Sequence, residues 1–342
     1  MASHARTPAP DAPTPWSRAA AVVALLTAAV SLVLTAFAWP AATSSLHDLP
    51  IGVAGTGPSA ERVITALEEG QPGAFSITRL TDTRAARDAV QNRDVYGAID
   101  LTTLRPEVII GTAGSPMAAQ TLQTLAQNLT QAKGTATPAT VTVHDLAPLS
   151  ADDPRGAGLA AAGLPLVMGG MLGAVLLGRM VEGTGRQVTA MLAYAVTGGL
   201  ALTAILQFGF GSLGGAYLAN SGVVALAISA IALTLMGLQA LLGGAGLGLG
   251  AALMMLIGNP LSGTSSAPEM LPGWTGELGR LLPPGAAGTL LRSTAFYDGG
   301  GATGPLIVML TWLAIGAALL SAAVLKPLLR SRRRLEEIEL LA

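Results

Sequence analysis

Hydrophobic and polar positions follow two unlike patterns along this chain. Apolar residues run almost unbroken over Ala19 to Trp39, about Ala157 to Gly178, Val188 to Phe208, Leu218 to Leu238, Gln239 to Gly258 and Gly304 to Leu325. Each run approaches the roughly 20 residues that a helix needs to cross the hydrocarbon core of a bilayer, so the pattern predicts six transmembrane helices. The fourth and fifth runs have no charge between them, and glycines place the turn near Gly237 to Gly244. The first run is longer than the roughly 7–15 apolar residues of a signal-peptide core, so it reads as a span rather than a cleaved leader.

Between Pro40 and Gly156 the periodicity is that of a soluble α/β unit. Leu49 to Ala54 is a short apolar strand. Pro58 to Glu61 opens a helix, with proline in its first turn and Val63, Ile64 and Leu67 at helical spacing. Alternation over Ala74 to Leu80 predicts a second strand, Asp82 to Asn92 a second helix, and Val95 to Leu101 with Arg105 to Ile110 a pair of strands. Ser115 to Gln131 is a third helix with Leu122, Leu125 and Leu129 on one face, and Thr140 to Asp145 a last strand. About a hundred residues suffice for one compact domain.

Composition sharpens the division. The 342 residues are 51% hydrophobic and only 11% charged, against about 25% charged in ordinary soluble domains. Residues 187 to 268 carry no charge at all, whereas residues 40 to 156 hold twelve of the 20 acids and eight of the 19 bases. The absence of cysteine excludes disulfides and thiolate chemistry, and the near-neutral balance gives no reason to expect nucleic acid as a partner.

Orientation follows from Lys and Arg in short connections. Arg6, Arg18, Arg179, Arg186, Lys326, Arg330, Arg332, Arg333 and Arg334 fall on one side, and only Arg280 and Arg292 on the other. The expected architecture is an α-helical polytopic membrane protein with six transmembrane helices and both ends in the cytoplasm. An extracytoplasmic α/β domain is inserted between helices 1 and 2. Its parts are a cytoplasmic tail 1–18, helix 1 at 19–39, the α/β domain 40–156, helices 2 to 6 within 157–325, and a basic cytoplasmic tail 326–342.

Few residues carry candidate chemistry. Gly52 to Pro58 lies between a strand and a helix, but it lacks the Lys-Ser/Thr of a Walker loop and the spacing of a dinucleotide turn, so no nucleotide site is expected there. His4, His47 and His144 are isolated, Asn128-Leu-Thr130 is a short glycosylation pattern left without weight, and no Ser, His and acid set flanks the spans, so neither metal nor enzymatic chemistry is expected. Spans three to five contain no ionisable group of the kind that marks proton relays. The turn Arg179 to Arg186, with Glu182 between two arginines, is a candidate coupling surface for a cytoplasmic ATPase; the alternative is an ordinary solvated turn. Within 259–303, Asn259, Pro260, Glu269, Pro283, Pro284 and Gly285 mark short helical pieces punctuated by Pro and Gly, a candidate outer gate that dips into or lies on the interface; the alternative is a floppy loop.

The layout of one span, an outward domain and five further spans is joined by several short motifs. These are Asp153-Pro-Arg-Gly156, Tyr96-Gly-Ala-Ile99, Gly258-Asn-Pro-Leu-Ser-Gly263, Pro268-Glu-Met-Leu-Pro272, Leu282-Pro-Pro-Gly-Ala286 and Tyr297-Asp-Gly299. Over roughly Ala19 to Arg334 the chain resembles ABC type-2 transporter permeases, in particular the branch related to phage-infection-protein-like bacterial membrane proteins. The resemblance implies a plasma-membrane permease subunit that dimerises or pairs and exports a hydrophobic or amphipathic compound. A separate ATPase subunit would bind the ATP, with no cofactor in this chain. A non-transporting scaffold or receptor whose outer domain binds cell-envelope or secretion components fits the same layout.

Overall fold

The computed structural model describes residues 14–103, 106–132, 141–264 and 266–341, with side chains throughout except at 41, 129–132 and 327–341. Residues 1–13 of the expected N-terminal tail, Arg105 and Thr140 of the expected strands, the side chain of Thr130, and the side chains of Arg330, Arg332, Arg333 and Arg334 lie outside this description.

The inserted domain is a five-stranded sheet with helices between its strands. Its strands are β1 (Leu49–Ala54), β2 (Phe75–Leu80), β3 (Gly97–Asp100), β4 (Glu107–Ile110) and β5 (Thr142–Asp145), in the order β2-β1-β3-β4-β5. β1 pairs in parallel with both β2 and β3, β3 with β4 antiparallel, and β4 with β5 in parallel. The parallel pairs need crossovers, which α2 (Pro58–Gly70), α3 (Thr83–Gln91) and α4 (Pro116–Ala132) supply. Asp82 caps α3 by accepting the Ala85 N–H at 2.8 Å. Leu49, Ile51, Ile99, Val108, Ile110 and Leu122 form the main core.

The remaining helices are α1 (Trp16–Thr43), which precedes the domain, and α5 (Ala157–Met180), α6 (Thr184–Ala204), α7 (Tyr217–Leu242), α8 (Gly244–Ala252), α9 (Thr275–Leu281), α10 (Pro283–Phe296) and α11 (Thr303–Leu341). Asp153 starts α5 by accepting the amides of Ala157 and Gly158, both at 2.8 Å. The helix is thereby tied to the end of the domain. Among the described residues five helices are long and apolar enough to cross a membrane, and large apolar side chains such as Leu172, Leu176, Leu192, Val196 and Leu310 remain exposed on their outer faces. The protein is therefore a multi-pass membrane protein carrying a small α/β domain.

The expected fifth span is shorter than its apolar run suggested. α7 continues to Leu242, and Gly243 turns the chain at φ 67°, a conformation that favours glycine. α8 and a following π-helical segment (Leu253–Gly258) leave an apolar helix of 15 residues from Gly244 to Gly258. At about 1.5 Å per residue it is roughly 22 Å long, less than the hydrocarbon core. At the other extreme, α11 does not stop at Lys326 but continues through Pro327 to Leu341, in a stretch rich in Leu, Arg and Glu, which are good helix formers.

α7 is the centre of the bundle. Of its apolar window 78% is buried, against 0% of that of α1. Ile228, Ile231 and Leu235 of α7 pack with Val167 and Ala174 of α5, Met191 of α6, Leu291 of α10 and Met309 of α11. Small residues set the approach: a Cβ at Gly170 would lie 2.8 Å from Ile231, and one at Gly237 would lie 2.6 Å from Leu319.

Candidate functional site

Residues 259–303 form a cap over one end of this bundle, and the domain sits on the cap. Two 3-10 turns, Pro260–Ser262 and Pro268–Met270, lead into α9 and α10. The cap is packed backbone on backbone. A Cβ at Gly279 would collide with the Leu261 carbonyl, and one at Gly285 with the Gly279 carbonyl. Pro283, Pro284 and Gly285 are buried in the first turn of α10, and Pro284 lies where a Cβ of Gly258 would be, 2.9 Å away. Asn259 and Pro260 are half-buried where the π-helical segment ends. These five candidate gate residues are packing elements of the cap.

The sheet end that carries Leu49, Gly97, Ile110 and Asp145 faces the cap. Ser44 Oγ and the Ser45 amide donate to the Met270 carbonyl at 3.0 and 3.1 Å. The Tyr297 hydroxyl donates to the Gly111 carbonyl at 3.0 Å in a cradle that a Cβ at Gly114 would fill. Beyond α3 the chain reverses at Arg93, whose φ of 61° is uncommon for a side chain of this size. The reversal lets Arg93 Nη1 donate to Thr289 O and Ser293 Oγ at 2.7 and 2.8 Å, with its guanidinium 5.3 Å from the Tyr297 ring centre.

Between domain and cap lies a cavity of about 490 Å³ that Arg93, Tyr96, Glu269, Glu277, Arg280, Arg292 and Tyr297 help to line. Arg280 pairs with Glu269 and, at 2.9 Å, with Glu277, while the Tyr96 hydroxyl donates to Glu269 Oε2 at 2.8 Å. Both glutamates are thus committed to Arg280. Arg292 is 6% exposed; its Nη2 donates to Thr264 O and its Nε has no partner among the described residues. Neither Arg93 nor Arg292 has a carboxylate partner among the described residues.

Burial and paired charge shape the ionisation here. Burial, helped by the neighbouring charge of Arg93, lowers Arg292 to about 10. Burial also lowers Arg93, partly offset by Tyr297, Tyr96 and Glu269. For Arg280 burial acts downward but Glu269, Tyr96 and Glu277 outweigh it, so its proton is held more firmly than usual. Burial and then the Glu269 carboxylate push the Tyr96 phenol well up, and burial raises Tyr297 to about 12.

The other sequence candidates fall elsewhere. Arg179, Glu182 and Arg186 are all exposed on the turn between α5 and α6, at the opposite end of the bundle, and none forms an ion pair among the described residues. Gln187 ties this turn by donating to Gly178 O and Val181 O at 3.2 and 2.8 Å. The Gly55 to Gly57 turn lies at the end of the sheet away from the cap, next to buried Asp100, which accepts the Thr102 amide at 2.9 Å. A carboxylate there opposes a phosphate. His47 contacts Ser45 O at 3.0 Å, His144 is exposed on β5, and His4 lies outside the described residues.

Of the cavity's polar residues, sequence reasoning had singled out Glu269 alone as a site residue. A signal existed for two others: Arg280 and Arg292 are the only basic residues between Gln187 and Leu325, and isolated charges in an apolar stretch mark functional positions. Arg93 gave none, being one of many arginines in a soluble domain.

Comparison with known proteins returns no match. No protein-family model, no curated protein and no solved structure is matched by this chain.

Proposed function

We propose that the protein is the membrane-spanning permease subunit of an ABC-type exporter. It would move a hydrophobic or amphipathic compound out of the cell, with a separate cytoplasmic ATPase as its motor. In this reading the short Gly244–Gly258 helix completes six spans, both ends are cytoplasmic, and residues 40–156 face outward at the plasma membrane. The observation that supports it most is the polarity of the bundle. Exposed charges at Arg179, Glu182 and Arg186, without ion pairs among the described residues, lie at one end and the domain-bearing cap at the other.

The buried helix α7 joins these ends. Near the turn, Gln239 shares a cavity of about 330 Å³ with Gly178 and Gln187. At the cap, the Asn220 side-chain Oδ1 accepts from Thr294 Oγ1 of α10 at 2.8 Å. A push on the turn therefore has a continuous packed route to the cap. The space between α5, α7 and α10 is only about 10 Å³, so a translocation path would run between two copies of the chain or a paired permease. A non-transporting scaffold needs no such path.

Purification of the tagged full chain in mild detergent from its native cells separates the two readings. A stoichiometric Walker-type ATPase with vanadate-sensitive hydrolysis, lost on Arg179→Ala, Glu182→Ala or Arg186→Ala, is the expected result. Co-elution of cell-envelope proteins through residues 40–156 with no ATPase would replace the permease by the scaffold.

A further inference from the structure

The cavity between domain and cap is lined by three arginines, Arg93, Arg280 and Arg292, and three acids, Asp94, Glu269 and Glu277, and of the arginines Arg292 is the most buried. We infer that the cavity is a binding site for the anionic head of an amphipathic molecule, a phosphate carried on an apolar body, with Arg292 as its principal ligand. Arg280 satisfies Glu269 and Glu277, and Asp94, the third acid on the lining, is exposed. Half-buried Arg93 and buried Arg292 remain without a carboxylate partner among the described residues. A guanidinium presents five N–H donors in a fork that matches phosphate oxygens, and Arg292, 6% exposed, lines the cavity with Nη2 bonded to Thr264 O and no carboxylate partner among the described residues. A buried cation left this way is costly. An arriving anion relieves that cost, which is a driving force for binding that a surface arginine lacks.

The apolar half of the ligand follows from the rest of the lining. The cavity extends to Leu281 of α9 and to Pro305 and Val308 in the first turns of α11, the start of a helix apolar enough to span a membrane. Leu281 is 59% exposed, and Trp274, at the start of α9, is 72% exposed. An anion seated at Arg292 can therefore leave an alkyl chain along α11. The inference does not depend on the transport reading, because binding needs no ATPase.

The test uses the purified full chain in neutral detergent, with the thermal midpoint and equilibrium binding as readouts. Its three probes are dihexanoyl phosphatidic acid, inorganic phosphate and dihexanoylglycerol, which supply head and tail, head alone and tail alone. Phosphatidic acid is expected to bind and stabilise, phosphate to bind more weakly, and the uncharged glyceride not at all. Arg292→Gln should weaken phosphatidic acid by about ten- to a hundred-fold, the range for one charge-assisted contact, and Arg292→Lys by less. Phosphate binding as tightly as phosphatidic acid would keep the anion site and identify its source as the free ion. Should Arg292→Gln fail to fold, Val308→Phe leaves every charge in place and narrows the α11 side; it should weaken phosphatidic acid and spare phosphate. Equal binding of the glyceride, or unchanged phosphatidic acid binding in a folded Arg292→Gln protein, overturns the inference.

Discussion

Arg93, Arg280, Arg292 and Glu269 at the domain end of the bundle, and Arg179, Glu182 and Arg186 at the other, are built from the same two side-chain types. The first group is buried or half-buried and bonded across three segments distant in sequence, and its three arginines are shifted in their ionisation. The second is exposed and free of ion pairs among the described residues. Water supplies the difference. A solvated charge is stable wherever it sits, so it constrains nothing and is available to a partner. A desolvated charge must find its hydrogen bonds inside the protein, so it fixes the position of whatever it touches.

The largest effects are therefore expected at the domain end. Gly279→Ala forces a Cβ into the Leu261 carbonyl; since backbone cannot rotate away as a side chain can, a loss of about 3 kcal/mol is expected. It would be read as a lowered thermal midpoint followed by Trp274 and Trp312 fluorescence. Arg93→Ala removes the bonds to Thr289 and Ser293 at 2.7 and 2.8 Å, a loss of roughly 2–3 kcal/mol. Hydrogen exchange should show α3 and the 297–301 loop losing protection together while α7 keeps its own. Retained protection of that loop would mean the domain is held elsewhere.

A smaller effect tests the electrostatic half of the contrast. Glu269→Gln removes the carboxylate that helps hold the Tyr96 proton, so Tyr96 should ionise at lower pH in the variant. Tyrosinate absorbance of the folded protein checks this, and Tyr297, raised to about 12 mainly by burial, should stay put. The same substitution should cost about 1–2 kcal/mol through the half-buried pair with Arg280. Least of all, Arg179→Ala, Glu182→Ala and Arg186→Ala should each change stability by under about 0.5 kcal/mol. A larger change in any of them would show that the turn is bound within the chain, and the contrast would fail.

Much of the architecture was legible because each part answers to a local signal. The strands and helices of residues 49–145 follow apolar alternation and helical spacing, and the observed β1 at Leu49–Ala54 has the bounds its apolar run predicts. The short pieces of the cap were legible from Pro260, Pro268 and Pro283, each of which begins a helical turn. The candidate site was legible only at Glu269. Arg93 lies nearly two hundred residues from Thr289 and Ser293, and no local pattern connects them.

The apolar runs by themselves determined that several segments leave water, and the charged interval between them determined that one domain stays in it. Hydropathy reports transfer out of water, and lipid and protein interior are alike on that scale. It could not distinguish α1, with 0% of its apolar window buried, from α7, with 78%. Only the tertiary structure decided which helix lies at the centre. It alone decided which arginines were stripped of water, because burial depends on neighbours that the chain reaches only after it has folded.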